Sequence, residues 1–236
     1  MPTHLISPAQ PLTLAALVTL LADGRPVSLG EDAKARITTC HGYLHQRLAH
    51  DDTPIYGINT GFGSLHNVSI APEARAQLQI NLLMSHACGT GAEVPGTLVR
   101  LMLLLKAQSL SYGHSGVQVA TAQRLLDMYN REMLPVVYEQ GSLGASGDLA
   151  PLAHLCLPLL GLGFVRNADV AERAETGVDA VNRGVVLGQT LVQVVVAGGN
   201  LLAGIVAEGH RAAIGQQGGQ RGQGEVLRGR NQVGRH

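Results

Sequence analysis

Tryptophan is absent from this 236-residue chain, and aromatic residues make up only 3% of it. An interior so poor in rings has to be packed with Leu, Val and Ala, which fill volume without stacking. No sign of charge dominates either: 17 basic residues face 17 acidic ones, and charged residues are 14% of the total. That balance excludes a chain that works through its overall field, as a general binder of nucleic acid or acidic ligands does. Cysteine is sparse. Cys40, Cys88 and Cys156 are odd in number and far apart, which excludes a disulfide framework and a zinc site and suits a reducing compartment. The start, Met1-Pro2-Thr3-His4, has neither the basic residues nor the apolar run of a secretory signal. A cytoplasmic protein is expected.

What the chain does have, over its first two thirds, is helical periodicity. Residues 12–22 predict a short helix, with Thr13 near its start and Gly24 just past its end as caps. Residues 31–49 predict a second, acidic at its start and carrying Ile37, Cys40, Leu44 and Leu48 at helical spacing. His41 and His45 lie four apart there, with His50, Asp51 and Asp52 behind them. No third ligand has a metal-site spacing, so a solvated polar face is the favoured reading. Pro72 suits the first turn of a helix over 72–87, on which Leu78, Leu82 and His86 share one face. Residues 98–110 are apolar nearly all round, interrupted only by Arg100, Lys106 and Gln108, which predicts a helix inside a bundle. A helix over 117–131 follows, then an extended stretch over 134–137.

Two glycine-rich stretches interrupt this periodicity, and the first, taken alone, reads as a structural loop. Tyr56-Gly57-Ile58-Asn59-Thr60-Gly61-Phe62-Gly63 lacks the spacing of a dinucleotide fingerprint and the Lys-Ser/Thr pair of a phosphate loop. The second is Gly141-Ser142-Leu143-Gly144-Ala145-Ser146-Gly147-Asp148-Leu149-Ala150-Pro151-Leu152. Its small residues let the backbone fold onto itself. In a tight turn the unhindered nitrogen of Gly147 can reach the carbonyl carbon of Ala145. Ring closure and loss of water, with further loss from the Ser146 side chain, leave a methylidene-imidazolone. This electrophile needs no metal and no diffusible cofactor. Asp148 is the expected cap of a helix over 151–160 with Pro151 in its first turn, which Pro158 bends or ends. The ring would then sit at a helix N-terminus, where amides and dipole favour the charge it gains.

The stretch GSLGASGDLAPLAH resembles the signature of the aromatic amino acid ammonia-lyases. The 56–63 stretch and Asn81-Leu82-Leu83-Met84-Ser85-His86-Ala87-Cys88-Gly89 agree with that family in order and spacing. The resemblance runs from about Leu12 to about Gly163, the front part of the family's chain. It implies an all-α fold, the N-terminal part of the long-helix bundle of the fumarase/aspartase-like superfamily, with minor extended segments around the loops. It also implies a carbon–nitrogen lyase whose electrophile forms from Ala145, Ser146 and Gly147, with Tyr56 as a catalytic phenol beside it. His86 matches the position that separates substrate classes. Its SHACG context is most similar to the enzymes acting on histidine, with tyrosine and phenylalanine as the alternatives. A buried imidazole can exchange a hydrogen bond with a substrate ring, and an apolar side chain cannot. The implied partners are L-histidine and further copies of the chain in a homotetramer, with no nucleic acid and no membrane.

After residue 163 the character changes. All ten prolines lie at or before Pro158, no aromatic follows Phe164, and Gly, Val, Gln and Arg take over. The expected division is therefore a lyase-like helical region over 1–163 and a divergent, poorly ordered tail over 164–236. Residues 184–207 carry no charge, but their Gln, Asn and Gly residues make a poor membrane-spanning helix. The terminal arginines have no aromatic beside them for stacking on bases. No counterpart of the family's Asn-Gly-Thr-Gln motif is found. A truncated or frame-shifted lyase, a genuine alternative C-terminus and a non-catalytic helical module stay open, and little turnover is expected of this chain alone.

Overall fold

The computed structural model of the chain describes residues 2–141 and 150–166. The expectations for Ala145, Ser146, Gly147 and Asp148, for the ring's place at a helix N-terminus, for the uncharged 184–207 segment and for the terminal arginines lie outside the described residues.

Helices dominate the described chain. The first, α1 (Leu14–Asp23), is bounded as its caps require. Thr13 Oγ1 accepts the Ala16 N–H at 3.1 Å, and Gly24, in the left-handed region, returns its N–H to the Leu20 carbonyl. α1 connects two three-residue strands, β1 (His4–Ile6) and β2 (Val27–Leu29), which pair in parallel with Ile6 opposite Leu29. Then comes α2 (Glu31–His50), whose first turn carries Glu31 and Asp32. The predicted helix at 72–87 divides into a short 3-10 turn, Pro72–Ala74, and α3 (Arg75–His86).

Next is β3 (Thr90–Glu93), followed by α4 (Gly96–Ser111), which is the centre of the core and is packed by α1, α2 and α5 (Val119–Asn130). Leu103, Leu104, Ala107 and Leu110 of α4 are fully buried, each leucine contributing about 2 kcal/mol by its removal from water. Two of the three expected interruptions of α4 are inside as well: Lys106 is 1% exposed and Gln108 6%. Gln108 is held by the Ser7 carbonyl and Ser111, whereas Lys106 Nζ has no hydrogen-bond partner among the described residues. Arg100 lies over the ring of the buried Tyr129, 4.8 Å from its centroid.

The stretch after α5 forms β4 (Leu134–Pro135) and β5 (Tyr138–Gln140). β5 pairs antiparallel with β3, and β4 pairs antiparallel with β6 (Val165–Arg166). Between them lies α6 (Ala150–Cys156), with Pro151 in its first turn. The α-helix stops at Cys156 and tightens into a 3-10 turn, Leu157–Leu160, around Pro158, whose ring cannot continue an α-helical ladder. Among the described residues, no helix is long and apolar enough to cross a membrane.

Candidate active site

The 56–70 segment is irregular but tied down. Asn59 Oδ1 accepts the Ile55 N–H at 2.6 Å, its Nδ2 donates to the Thr53 carbonyl, and its own carbonyl accepts from Ile70. The Gly61 N–H bonds the Val68 carbonyl across the loop. Ile58, Asn59 and Thr60 are buried, so the segment closes on its own backbone. Tyr56 stands at its edge, 50% exposed. Its phenol oxygen accepts the Gly63 N–H at 3.2 Å and its ring meets Phe62 edge-on at 5.8 Å. A phenol that accepts an amide N–H keeps its own proton free to donate.

α3 connects this loop to the rest of the site. The side chain of Gln79, fully buried, donates to the Gly57 carbonyl, next to Tyr56. Arg75, one turn earlier, donates to the Ile70 carbonyl. The buried face of α3 is thus more polar than the Leu78, Leu82 and His86 stripe implies: Arg75, Gln79, Leu82 and Leu83 are inside, and Leu78 is half-buried. Two turns past Gln79, roughly 10 Å along the axis and on nearly the same face, comes His86. Its Nδ1 lies 2.9 Å from the Leu82 carbonyl and 3.1 Å from Ser85 Oγ. A carbonyl only accepts, so Nδ1 carries the proton. With Nδ1 as the bonded donor, Nε2 is the nitrogen left to accept from a substrate group.

Three residues beyond His86, Gly89 is the point where segments converge. A side chain at Gly89 would come within 3.1 Å of His154 Nε2 and 3.2 Å of the Gln140 carbonyl. One at Gly141 would come within 3.0 Å of the Gly89 Cα and 3.4 Å of the Ala150 Cβ. Gly141 and Ala150 are the described residues on either side of 142–149, so both ends of the Ala-Ser-Gly segment arrive at the turn that follows His86. The structure therefore brings the His86 helix, the Tyr56 loop and these two ends into one connected arrangement. Sequence reasoning missed Gln79, Asn59 and His154 as the residues that join them. Only the tight spacing of glycines around Asn59 hinted at any of this.

His41 and His45 have a different role. Their rings meet edge-on at 4.4 Å, and His41 Nδ1 donates to the Gly116 carbonyl at 2.8 Å, fastening α2 to the turn before α5. Burial, and then the neighbouring His41, hold His45 below the usual histidine range. Among the described residues no group of three or more His, Cys, Asp or Glu is placed to hold a metal ion. Cys40, Cys88 and Cys156 are free thiols, half-buried, exposed and buried in turn.

Comparison with known proteins bears on the same segments. Residues 12–186 match the family model for aromatic amino acid lyases, so the likeness continues past the expected end at Gly163. The pairing of β6 with β4 agrees in placing residues 165–166 within the same fold. The histidine ammonia-lyase of Deinococcus radiodurans is 51% identical over 154 residues, covering 65% of this chain and 29% of that protein. The histidine ammonia-lyase of Symbiobacterium thermophilum is 46% identical over 172 residues, covering 73% of this chain and 33% of that protein. Among solved structures, histidine ammonia-lyase from Trypanosoma cruzi aligns with a TM-score of 0.62 at 30% identity, over 76% of this chain and 34% of that one. The chain spans about a third of the length of the curated relatives it matches.

Proposed function

The chain belongs to the aromatic amino acid lyase family, and from that membership we propose that it forms the front part of a histidine ammonia-lyase, eliminating ammonia from L-histidine to give urocanate. The observation that carries the reading is the convergence at Gly89. A segment whose sequence can cyclise has both described ends fixed beside the turn leading out of His86. The fit is chemical as well as spatial, because the bonded tautomer of His86 leaves an acceptor for an imidazole N–H, which phenylalanine lacks. The matched histidine ammonia-lyases support the same substrate.

The reaction breaks the bond between the α-carbon and the amino nitrogen and removes a proton from the β-carbon. Neither departure is easy alone, since the amine is a poor leaving group and the β-proton is weakly acidic. A methylidene-imidazolone formed from Ala145, Ser146 and Gly147 would supply the electrophilic carbon that captures the substrate's amine or ring. His86 Nε2 orients the substrate imidazole by accepting its N–H. Tyr56 moves a proton through its phenol oxygen, steadied by the Gly63 amide. The working enzyme is a cytoplasmic homotetramer in this reading.

A mass spectrum of the loop peptide from the purified chain is the first test. Loss of two waters from the peptide containing residues 145–147 is expected, and an intact mass overturns the proposed electrophile. Urocanate absorbance with L-histidine, set beside cinnamate-type products from L-tyrosine and L-phenylalanine, tests the substrate. Product from the latter two and none from histidine overturns the assignment to His86.

A further inference from the structure

His154 does something the proposed chemistry has not yet used. It lies on α6, four residues past Ala150, the first described residue after the 142–149 segment. The Gly89 N–H donates to its Nε2 at 3.0 Å. An accepting Nε2 means a neutral ring with its proton on Nδ1. The Tyr138 ring of β5 meets the imidazole edge-on at 5.1 Å. β5 leads straight into Gly141, and its Gln140 pairs with Thr90, the residue after Gly89. The half-buried imidazole is thus enclosed by the three strands of chain that meet at this point: the turn after His86, the approach to the Ala-Ser-Gly segment and the helix that leaves it. Glycine at position 89 is what admits the ring, since a Cβ there would press on Nε2 and Cδ2 at 3.1 and 3.2 Å. Burial holds the His154 pKa below the usual histidine range, in keeping with an acceptor at neutral pH.

We propose that His154 is a positioning residue for the elimination, holding the Cys88–Gly89 turn, and with it His86, against both ends of the 142–149 segment. The inference rests on the functional reading above but makes a separate claim, that the Gly89–His154 hydrogen bond sets the spacing between the substrate-recognising histidine and the flanking residues Gly141 and Ala150. A core histidine satisfied within its own helix would carry no such consequence. This one bonds a backbone amide 65 residues away.

The test compares the full chain with His154→Leu, which removes the acceptor at similar bulk, and His154→Gln, whose amide oxygen reaches about as far as Nε2. Amide hydrogen exchange at Gly89 and the ring signals of His86 are read by NMR, and ring content is read as the fraction of loop peptide lacking two waters. The expected result is a loss of Gly89 protection of about tenfold in the Leu variant, the equivalent of one hydrogen bond. His86 signals shift and ring content falls in the Leu variant, and the Gln variant retains all three. Unchanged Gly89 protection in His154→Leu overturns the proposal. So does lost protection with His86 signals and ring content unmoved, which would reduce His154 to local packing. If the unsubstituted chain forms no ring, the electrophile proposed above fails, and the His86 signals alone decide for or against His154. If the Leu variant does not fold, His154→Asn, polar but too short to keep the acceptor in place, replaces it.

Discussion

Asn130 holds Val27 by both of its backbone polar groups: the Val27 N–H donates to Asn130 Oδ1, and Asn130 Nδ2 donates to the Val27 carbonyl, each at 2.8 Å. Two turns earlier on α5, Gln123 Oε1 accepts the Leu29 N–H at 3.3 Å. A helix thereby acts as the third strand of the β1–β2 ladder, satisfying an edge that would otherwise be buried without partners. Asn130→Ala is expected to cost about 2 kcal/mol, because Val27 is 1% exposed and its amide and carbonyl would be stranded. A lower urea midpoint at unchanged slope would show it. A midpoint equal to that of the unsubstituted chain would mean water replaces the amide without loss.

Lys106 should make stability rise with pH. Burial lowers its pKa from 10.5 to about 8, the nearby Cys156 opposing slightly. Below pH 8 the ammonium is charged in both folded and unfolded chains and the burial penalty is present in full. Between about pH 8 and the unfolded value of 10.5 the folded chain sheds the proton first, so stability increases. Cys156 works the other way. Burial pushes its thiol from 9.0 up to about 12, so above pH 9 the unfolded chain ionises first and stability is lost. The rise is therefore clearest between pH 8 and 9. Lys106→Met should flatten it and add on the order of 3 kcal/mol at pH 7. Unfolding free energies at pH 7, 8 and 9 for both chains are the check.

Two glycines separate backbone strain from lack of space. Gly24 has φ +60° with nothing within 4 Å of where a Cβ would be, so Gly24→Ala should cost only about 1 kcal/mol for the left-handed backbone. Gly113 has φ +72°, and a Cβ there would lie 2.7 Å from the Arg36 carbonyl oxygen. Since backbone cannot swing aside as a side chain can, Gly113→Ala should cost about 3 kcal/mol. Thermal unfolding of the pair tests the difference, and equal shifts would contradict it.

Gln79→Met should loosen the Tyr56 loop. The Gly57 carbonyl loses its side-chain donor, and the Arg75–Ile70 hydrogen bond is left to tie the loop to α3. Faster chymotryptic cleavage around Phe62 and Leu65, with the α-helical circular dichroism unchanged, is the expected outcome. Equal cleavage rates would show that Asn59 and the Arg75–Ile70 hydrogen bond hold the loop without Gln79.

Much of this molecule was legible in its residues, for reasons specific to each place. Thr13 and Gly24 mark the ends of α1 because capping is local chemistry, complete within four residues. α4 reads as interior because its apolar residues surround it on every side. The 3-10 turn at Leu157–Leu160 follows from one ring at Pro158 that cannot donate. The likeness to the lyases rests on motifs that are contiguous in the chain, which is why it was visible before any coordinates.

What only the tertiary structure decided is every relationship that crosses the chain. The three-residue strands β1 and β2 are too short to announce a period, and they exist because each pairs with the other and α5 completes the edge. Lys106 reads as a polar interruption of an apolar helix, and only packing on all sides shows that it has no route to water. Gln79, beside the Leu78, Leu82 and His86 stripe, is inside because the Gly57 carbonyl takes a donor there. The meeting of Gly89, Gly141, Ala150 and His154 could not be read from sequence at all, since no local rule fixes which distant glycine will be bare enough to accept a histidine ring.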